Sequence, residues 1–195
     1  MIREPDRKRI QVVKLGGSLL EWPGLTGCLG QWLADQPPTI NLLICGGGRP
    51  VADLRERAAR EPLDDKACHW AAIRIMDEHS RYLAARMQGL PIHIAQIGEL
   101  PDHSCFLECF PLLRQHSVLP RDWSVSSDAL AAELAALLGV DEICLVKSAL
   151  PDSPEPDDWA ATGFVDRRFP AAARKLKWIE VKDLRTGRSL SKTPG

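Results

Sequence analysis

Two apolar strands that each break into a glycine loop constrain this chain more than any other feature. Ile10-Gln11-Val12-Val13-Lys14-Leu15 is a β-branched run that stops at Gly16-Gly17-Ser18, and Ile40-Asn41-Leu42-Leu43-Ile44-Cys45 runs into Gly46-Gly47-Gly48-Arg49-Pro50. A nearly continuous apolar run is what a strand covered on both faces requires. Each loop precedes a helical pattern. The first spans Leu25 to Ala34 and is closed by Pro37-Pro38; the second spans Val51 to Arg60, with Pro50 suited to its first turn.

The alternation continues. Lys66 to Met87 is the longest helical pattern, with Ala67, Trp70, Ile73, Met76, Leu83 and Met87 recurring on one side, and Leu90 to Ile97 reads as a short strand. The stretch 98–122, interrupted by Pro101, Pro111 and Pro120, carries no clear period. Asp128 to Leu138 is helical and ends at Gly139, as a left-handed cap would, before the strand Glu142 to Lys147. Residues 150–162 read as an exposed, acidic, proline-rich loop, followed by a helix near Pro170 to Lys177 and a strand near Trp178 to Val181. Residues 1–9 are a candidate flexible end. The expected fold is α/β, a three-layer αβα sandwich around a mostly parallel sheet. No linker or repeat divides the chain, so it reads as one domain over residues 1–195.

Composition narrows the function classes. The 25 Lys and Arg against 26 Asp and Glu leave a formal charge of −1, without the basic excess of a nucleic-acid or membrane-surface binder. Six cysteines are scattered without a C-x-x-C pair, and Cys45 and Cys144 lie within apolar strands, where a thiol acts as a small hydrophobe. His103, Cys105 and Cys109 lack the fourth ligand of a structural zinc, so no metal-ligating set is assigned. The charged N-terminus fails the signal-peptide pattern and no apolar run suits a membrane span, which leads to the expectation of a cytoplasmic protein.

The chemistry lies in the loops. Glycine lets phosphate oxygens approach the backbone with no Cβ in the way, and a helix N-terminus after the loop favours an anion. Neither loop is a P-loop or a dinucleotide fingerprint. Lys14, embedded among Val12, Val13 and Leu15, breaks the apolar pattern beside such a loop. There its cation would offset charge on a transferring phosphoryl group.

Three motifs in order, Val12-Val13-Lys14-Leu15-Gly16-Gly17-Ser18, Ile44-Cys45-Gly46-Gly47-Gly48, and Ser126-Ser127-Asp128-Ala129-Leu130-Ala131 leading to Ile143-Cys144-Leu145-Val146-Lys147, resemble the amino acid kinase family. The resemblance covers most of residues 10–150. Within the family the sequence is most similar to the branch of the kinase of (5-(aminomethyl)furan-3-yl)methyl phosphate, in methanofuran biosynthesis. That likeness rests on Gly46 to Arg55, on Ala67 to Asp77, and on Gly163-Phe164-Val165-Asp166 with Phe169.

The resemblance implies an ATP- and Mg²⁺-dependent kinase, with a small phosphate ester as acceptor and a homo-oligomeric assembly. Lys14 matches the lysine on the transferring phosphoryl group. Gly16, Gly17, Ser18 and Ser127 go with the ATP phosphates, and Gly46, Gly47 and Gly48 face the acceptor and the γ-phosphate. Asp128 matches the acid that organises the catalytic lysines, with a plain helix cap as the alternative reading. Lys147 ends the strand bordering the nucleotide. The glycine-methionine motif of a second catalytic lysine is missing, leaving Lys147, Arg167, Arg168 or the magnesium ion to supply that charge. Arg49 and Arg55 suit a phosphorylated acceptor because guanidinium groups match phosphate oxygens. His69 is an acceptor contact or a satisfied core imidazole; Asp53, Asp77 and Asp166 are the candidates to pair with the acceptor's ammonium, and Asp166 is alternatively a magnesium ligand or a turn residue. The chain is short for the family, so the part enclosing the adenine is expected to be reduced. Other acceptors, a nucleoside monophosphate, isopentenyl phosphate or a carboxylate, stand as alternatives, as does a non-catalytic nucleotide- or oxyanion-binding protein.

Overall fold

The computed structural model describes residues 8–193. A seven-stranded sheet runs through it. Its strands are β1 Arg9–Leu15, β2 Thr39–Cys45, β3 Ile92–Ile94, β4 Cys105–Glu108, β5 Glu142–Lys147, β6 Trp178–Asp183 and β7 Ser189–Lys192. The spatial order is β3-β4-β2-β1-β5-β6-β7, and every pairing is parallel except the closing β6–β7 pair. The helices are α1 Leu25–Ala34, α2 Gly48–Arg60, α3 Asp65–Ala84, α4 Phe110–His116, α5 Ser127–Leu138, α6 Pro156–Ala161 and α7 Phe169–Ala173.

Strand alternation splits the core between two faces. Val12, Leu42, Ile44, Ile143 and Leu145 pack under α5, α7 and the Trp70, Ile73 and Met76 side of α3. Val13, Leu15, Leu43, Cys45, Cys144 and Val146 pack under Leu25 and Leu29 of α1 and the far end of α3 at Leu83. A sheet covered on both faces explains why its central strands are apolar throughout. This is the three-layer sandwich the sequence implies. Helix α2 stands apart, with none of its residues buried, over the carboxyl edge of the sheet.

Several elements differ from the sequence reading. Strand β1 begins at Arg9, inside the expected flexible end, of which residues 1–7 lie outside the described residues. The stretch 98–122 holds β4 and α4, both short and fixed by their neighbours. Strand β4 pairs with β2 and β3, and α4 starts where Asp77 of α3 accepts from the N–H groups of Cys109 and Phe110. The expected strand Leu90 to Ile97 shrinks to three residues, and the helix near Pro170 to Phe169–Ala173. Within the stretch 150–162, α6 puts Trp159 at 1% exposure against Phe169.

Candidate functional site

The parallel pairing of β1 with β5 brings two lysines to one carboxylate. Val146 lies opposite Leu15, so Lys147 emerges beside Gly16, past the last paired residue of β1. Above them Asp128 sits in the first turn of α5. Lys14 Nζ lies 2.8 Å from Asp128 Oδ1, and Lys147 Nζ donates to Oδ2 at 2.9 Å and to the Phe164 carbonyl. All three side chains are buried or nearly so, and a buried carboxylate between two ammonium groups leaves one net positive charge. Burial alone would raise the Asp128 pKa, but Lys14 and Lys147 outweigh it and hold the carboxylate below its usual range. Lys147 is pushed down, first by burial and then by Lys14, against the pull of Asp128.

The two glycine loops pack against each other at the same edge. A Cβ on Gly17 would stand 2.4 Å from Gly48 N, and one on Gly46 would stand 2.7 Å from Gly17 N. Gly16 donates to Val146 and Gly46 to Leu15, each at 2.7 Å, so the loops extend the strand order β2-β1-β5. Gly48 has a φ of +54°, a conformation that favours glycine, and it opens α2. The second loop is therefore the first turn of a thirteen-residue helix, and the N-terminus of α5 lies nearby. Two helix starts converging on backbone loops with a net cation beneath produce a local field that favours an anion.

A cavity of about 380 Å³ opens between α2, α3 and the start of α5. Val51, Met76, Val125 and Leu130 give it apolar walls, with Gly47 and Gly48 at one side. Arg55 lies over the Trp123 ring at 4.9 Å. Gly47, Gly48, Ala52, Glu56 and Ser127 also line an outer depression holding Gly17, Ser18 and Arg49, so the glycine-loop depression and the apolar cavity are continuous.

The site residues expected from sequence fall into three groups. Lys14, Asp128 and Lys147 are in direct contact; Gly16, Gly17, Ser18, Gly46, Gly47, Gly48 and Ser127 surround the edge above them. Arg55 and His69 line the apolar cavity, and Arg49 lies on the outer side, 3.9 Å from Asp53. Asp166 accepts from Ser126 Oγ at 2.7 Å, Ala129 N at 3.1 Å and Arg168 N at 2.9 Å, so it caps α5 while bordering a third depression. Arg167 borders that depression too, and Arg168 points to Ser124 Oγ.

Three residues of the site escape the sequence reading. Asp122 ends the stretch without period and Trp123 follows it, with the Ser126-Ser127-Asp128 helix start as the one signal nearby. His79 Nδ1 lies 3.0 Å from the Gly46 carbonyl oxygen, reached from α3, and no local pattern marks it. Among the described residues, no group of three or more His, Cys, Asp or Glu side chains is placed to hold a metal ion. The described side chains therefore offer no metal cage of their own, and a Mg²⁺ ion would have to arrive with a phosphate-bearing ligand. No described helix is long and apolar enough to cross a membrane.

No family profile matches the chain, and no curated protein sequence matches it. Solved structures do. Aspartate kinase from Synechocystis superposes with a TM-score of 0.65 at 14% identity, covering 95% of this chain and 40% of that one. UMP kinase from Ureaplasma parvum gives 0.59 at 12% identity over 94% and 93% of the two chains. Uridylate kinase from Archaeoglobus fulgidus gives 0.56 at 14% identity over 89% and 88%. The protein is an α/β sandwich of amino acid kinase-like fold. It spans less than half of the aspartate kinase chain and most of each UMP kinase chain.

Proposed function

We propose that the protein is an ATP- and Mg²⁺-dependent phosphotransferase that moves the γ-phosphoryl group onto a small phosphate monoester, giving a diphosphate and ADP. The observation that carries this reading is Asp128 holding Lys14 and Lys147 together beneath two glycine loops in backbone contact. Phosphoryl transfer asks little of side chains beyond positioning and charge neutralisation. In this reading Gly17, Ser18, Gly47 and Gly48 cradle the nucleotide phosphates, and Lys14 neutralises charge on the transferring group. Lys147 takes the role of the second cation and Asp128 keeps both lysines in place. Mg²⁺ would supply further neutralisation of phosphate charge beside that of Lys14 and Lys147. Arg55 lines the apolar cavity and would take the phosphate the acceptor already carries.

For the acceptor we favour (5-(aminomethyl)furan-3-yl)methyl phosphate, because the branch-like stretches supply Gly47, Gly48 and Arg55, then His69, Ala72 and Met76, to one cavity suited to a small ring. A uridylate-type acceptor is the second reading, supported by the likeness to UMP kinases along most of their length. An assembly of like subunits is also proposed, with light scattering as its test. Incubating the protein with ATP, Mg²⁺ and either the furan phosphate, UMP, isopentenyl phosphate or aspartate, and measuring ADP, separates the readings. We expect ADP and a diphosphate product with the furan phosphate. Turnover of UMP alone would favour the second reading, and ATP binding without turnover of any acceptor would identify a non-catalytic binding protein.

A further inference from the structure

The ammonium of Lys147 is aimed by a stretch well beyond its own strand. Helix α6 closes at Thr162, and Gly163, with a φ of +76°, turns the chain so that Phe164 reaches Lys147. Space is open where a Cβ on Gly163 would be, so its conformation, not crowding, calls for glycine. Phe164 N and Val165 N both donate to the Trp159 carbonyl oxygen, at 2.8 and 3.2 Å, and the Phe164 ring meets the Trp159 ring edge-on at 6.2 Å. Trp159 is buried, so Phe164 is tied to the core.

Two groups of Phe164 face the Lys147 ammonium. Its carbonyl oxygen accepts from Nζ, and its ring centroid lies 4.3 Å from the same atom. An ammonium has three donors. Asp128 and the Phe164 carbonyl take two, and the Lys147 side chain keeps 14% exposure against 5% for Lys14, so one donor remains for a phosphate oxygen. Two residues on, Asp166 fixes the partner carboxylate. Its Oδ2 accepts from Ser126 Oγ at 2.7 Å and from Ala129 N at 3.1 Å, and its Oδ1 from Arg168 N at 2.9 Å. With its proton given to Asp166, the Ser126 hydroxyl offers a lone pair to Asp128 N, 3.3 Å away. The buried Val165 joins the two contacts.

We infer that Phe164 and Asp166 are positioning residues, a clamp that holds the Lys147 ammonium and Asp128 in one geometry and leaves one lysine N–H for the transferring group. The kinetic consequence rests on the phosphotransferase reading; the grip on Lys147 does not. The Phe164 ring and carbonyl favour a charged Lys147, as do Asp128 and Asp166, whereas burial and Lys14 oppose it.

A lysine ¹³Cε NMR titration of the whole protein reads the grip without turnover, the Lys147 signal being the one lost in Lys147→Arg. Phe164→Leu keeps the carbonyl and most of the apolar volume but removes the ring. We expect it to move the Lys147 titration down by about 0.4–1.5 pH units, the range of a cation–π contact, and Phe164→Tyr to leave it in place. With ATP and an acceptor that turns over, Asp166→Ala should lower kcat about 10-fold while the KM for ATP holds, and Asp166→Asn, which keeps an acceptor oxygen, should recover most of the loss. The Phe164 pair decides should Asp166→Ala not fold. The expected Lys147 shift without ADP release from any acceptor upholds the clamp and rejects the kinase reading. An unmoved Lys147 titration in Phe164→Leu, an equal shift in Phe164→Tyr, or a loss in Asp166→Ala that falls on KM alone overturns it.

Discussion

Gly17 and Gly48 belong to different loops yet meet backbone to backbone: a Cβ on Gly17 would lie 2.4 Å from Gly48 N and 2.7 Å from Gly48 Cα. The atoms in the way are main chain, so no side-chain rotation relieves the clash. Gly17→Ala must push the loops apart, and a displacement of about 1 Å at a reacting centre can cost on the order of 100-fold in rate. We expect a loss of that order in kcat/KM with a cooperative fold retained. Gly27→Ala is the control. That glycine lies within α1 with open space around its missing Cβ, and replacing it should raise stability by roughly 0.5–1 kcal/mol. Full activity in Gly17→Ala would show that the loop contact does not set the phosphate floor.

Asp128 carries a stability prediction with a definite sign. Its folded pKa lies below the ordinary value of 3.8, because Lys14 and Lys147 overcome the effect of burial. Such a group stabilises the fold above its unfolded pKa and ceases to do so as pH falls through its folded one. Asp128→Asn leaves two buried ammonium groups without their counter-ion, a loss on the order of 3–5 kcal/mol near neutral pH. Urea midpoints of wild type and variant should therefore be well separated at pH 7 and converge below about pH 3.8. A separation independent of pH would mean that the ion pairs are not its source.

In the proposed reaction Lys147 should set an alkaline limit. Burial and Lys14 push its pKa below the ordinary 10.5, although Asp128 pulls the other way. A cation that acts on phosphate is lost as pH rises through that lowered value. The rate should therefore fall at a pH below 10.5, and Lys147→Arg, whose guanidinium stays charged, should move the fall upward. The pH profile of kcat reports this, and an unmoved limb in Lys147→Arg would assign the titration to another group.

How much of this was legible in the sequence depends on length and local pattern. Strands β1, β2 and β5 announce themselves because both faces are covered, which forces apolar runs that end at glycine or lysine. Strand β4 does not, since four residues carry no period and its place is set by pairing with β2 and β3. The lysines and Asp128 could be singled out one by one, yet their meeting depends on the β1–β5 register, which is a tertiary fact. Asp122 and Trp123 belong to the site only because α2 and α3 close a cavity over them.

The acidic stretch 150–162 shows the same limit at the level of stability. Prolines and carboxylates make it read as exposed loop, but Pro156 opens α6 and Trp159 turns inward. Its ring stacks near Phe169 at 6.2 Å, and its Nε1 donates to the Ser153 carbonyl at 2.6 Å. Trp159→Ala should cost about 3–5 kcal/mol in chemical denaturation, a core value rather than a surface one. A loss within about 0.5 kcal/mol would return the segment to the surface class.

His79 links the long helix to the second glycine loop. Its Nδ1 stands 3.0 Å from the Gly46 carbonyl oxygen, so the ring donates from that nitrogen, and Cε1 lies 3.7 Å from where a Cβ on Gly48 would be. A donor from α3 thus fixes the carbonyl that turns β2 into α2. Removing a neutral hydrogen bond is worth about 0.5–1.5 kcal/mol, or roughly 2- to 10-fold in an equilibrium. His79→Ala should raise the KM for ATP by that factor while kcat changes little. His79→Asn, whose amide can donate from nearly the same position, should recover most of the loss. Equal effects in the two variants would reduce His79 to space-filling, whereas recovery in His79→Asn alone assigns its effect to the bond with Gly46.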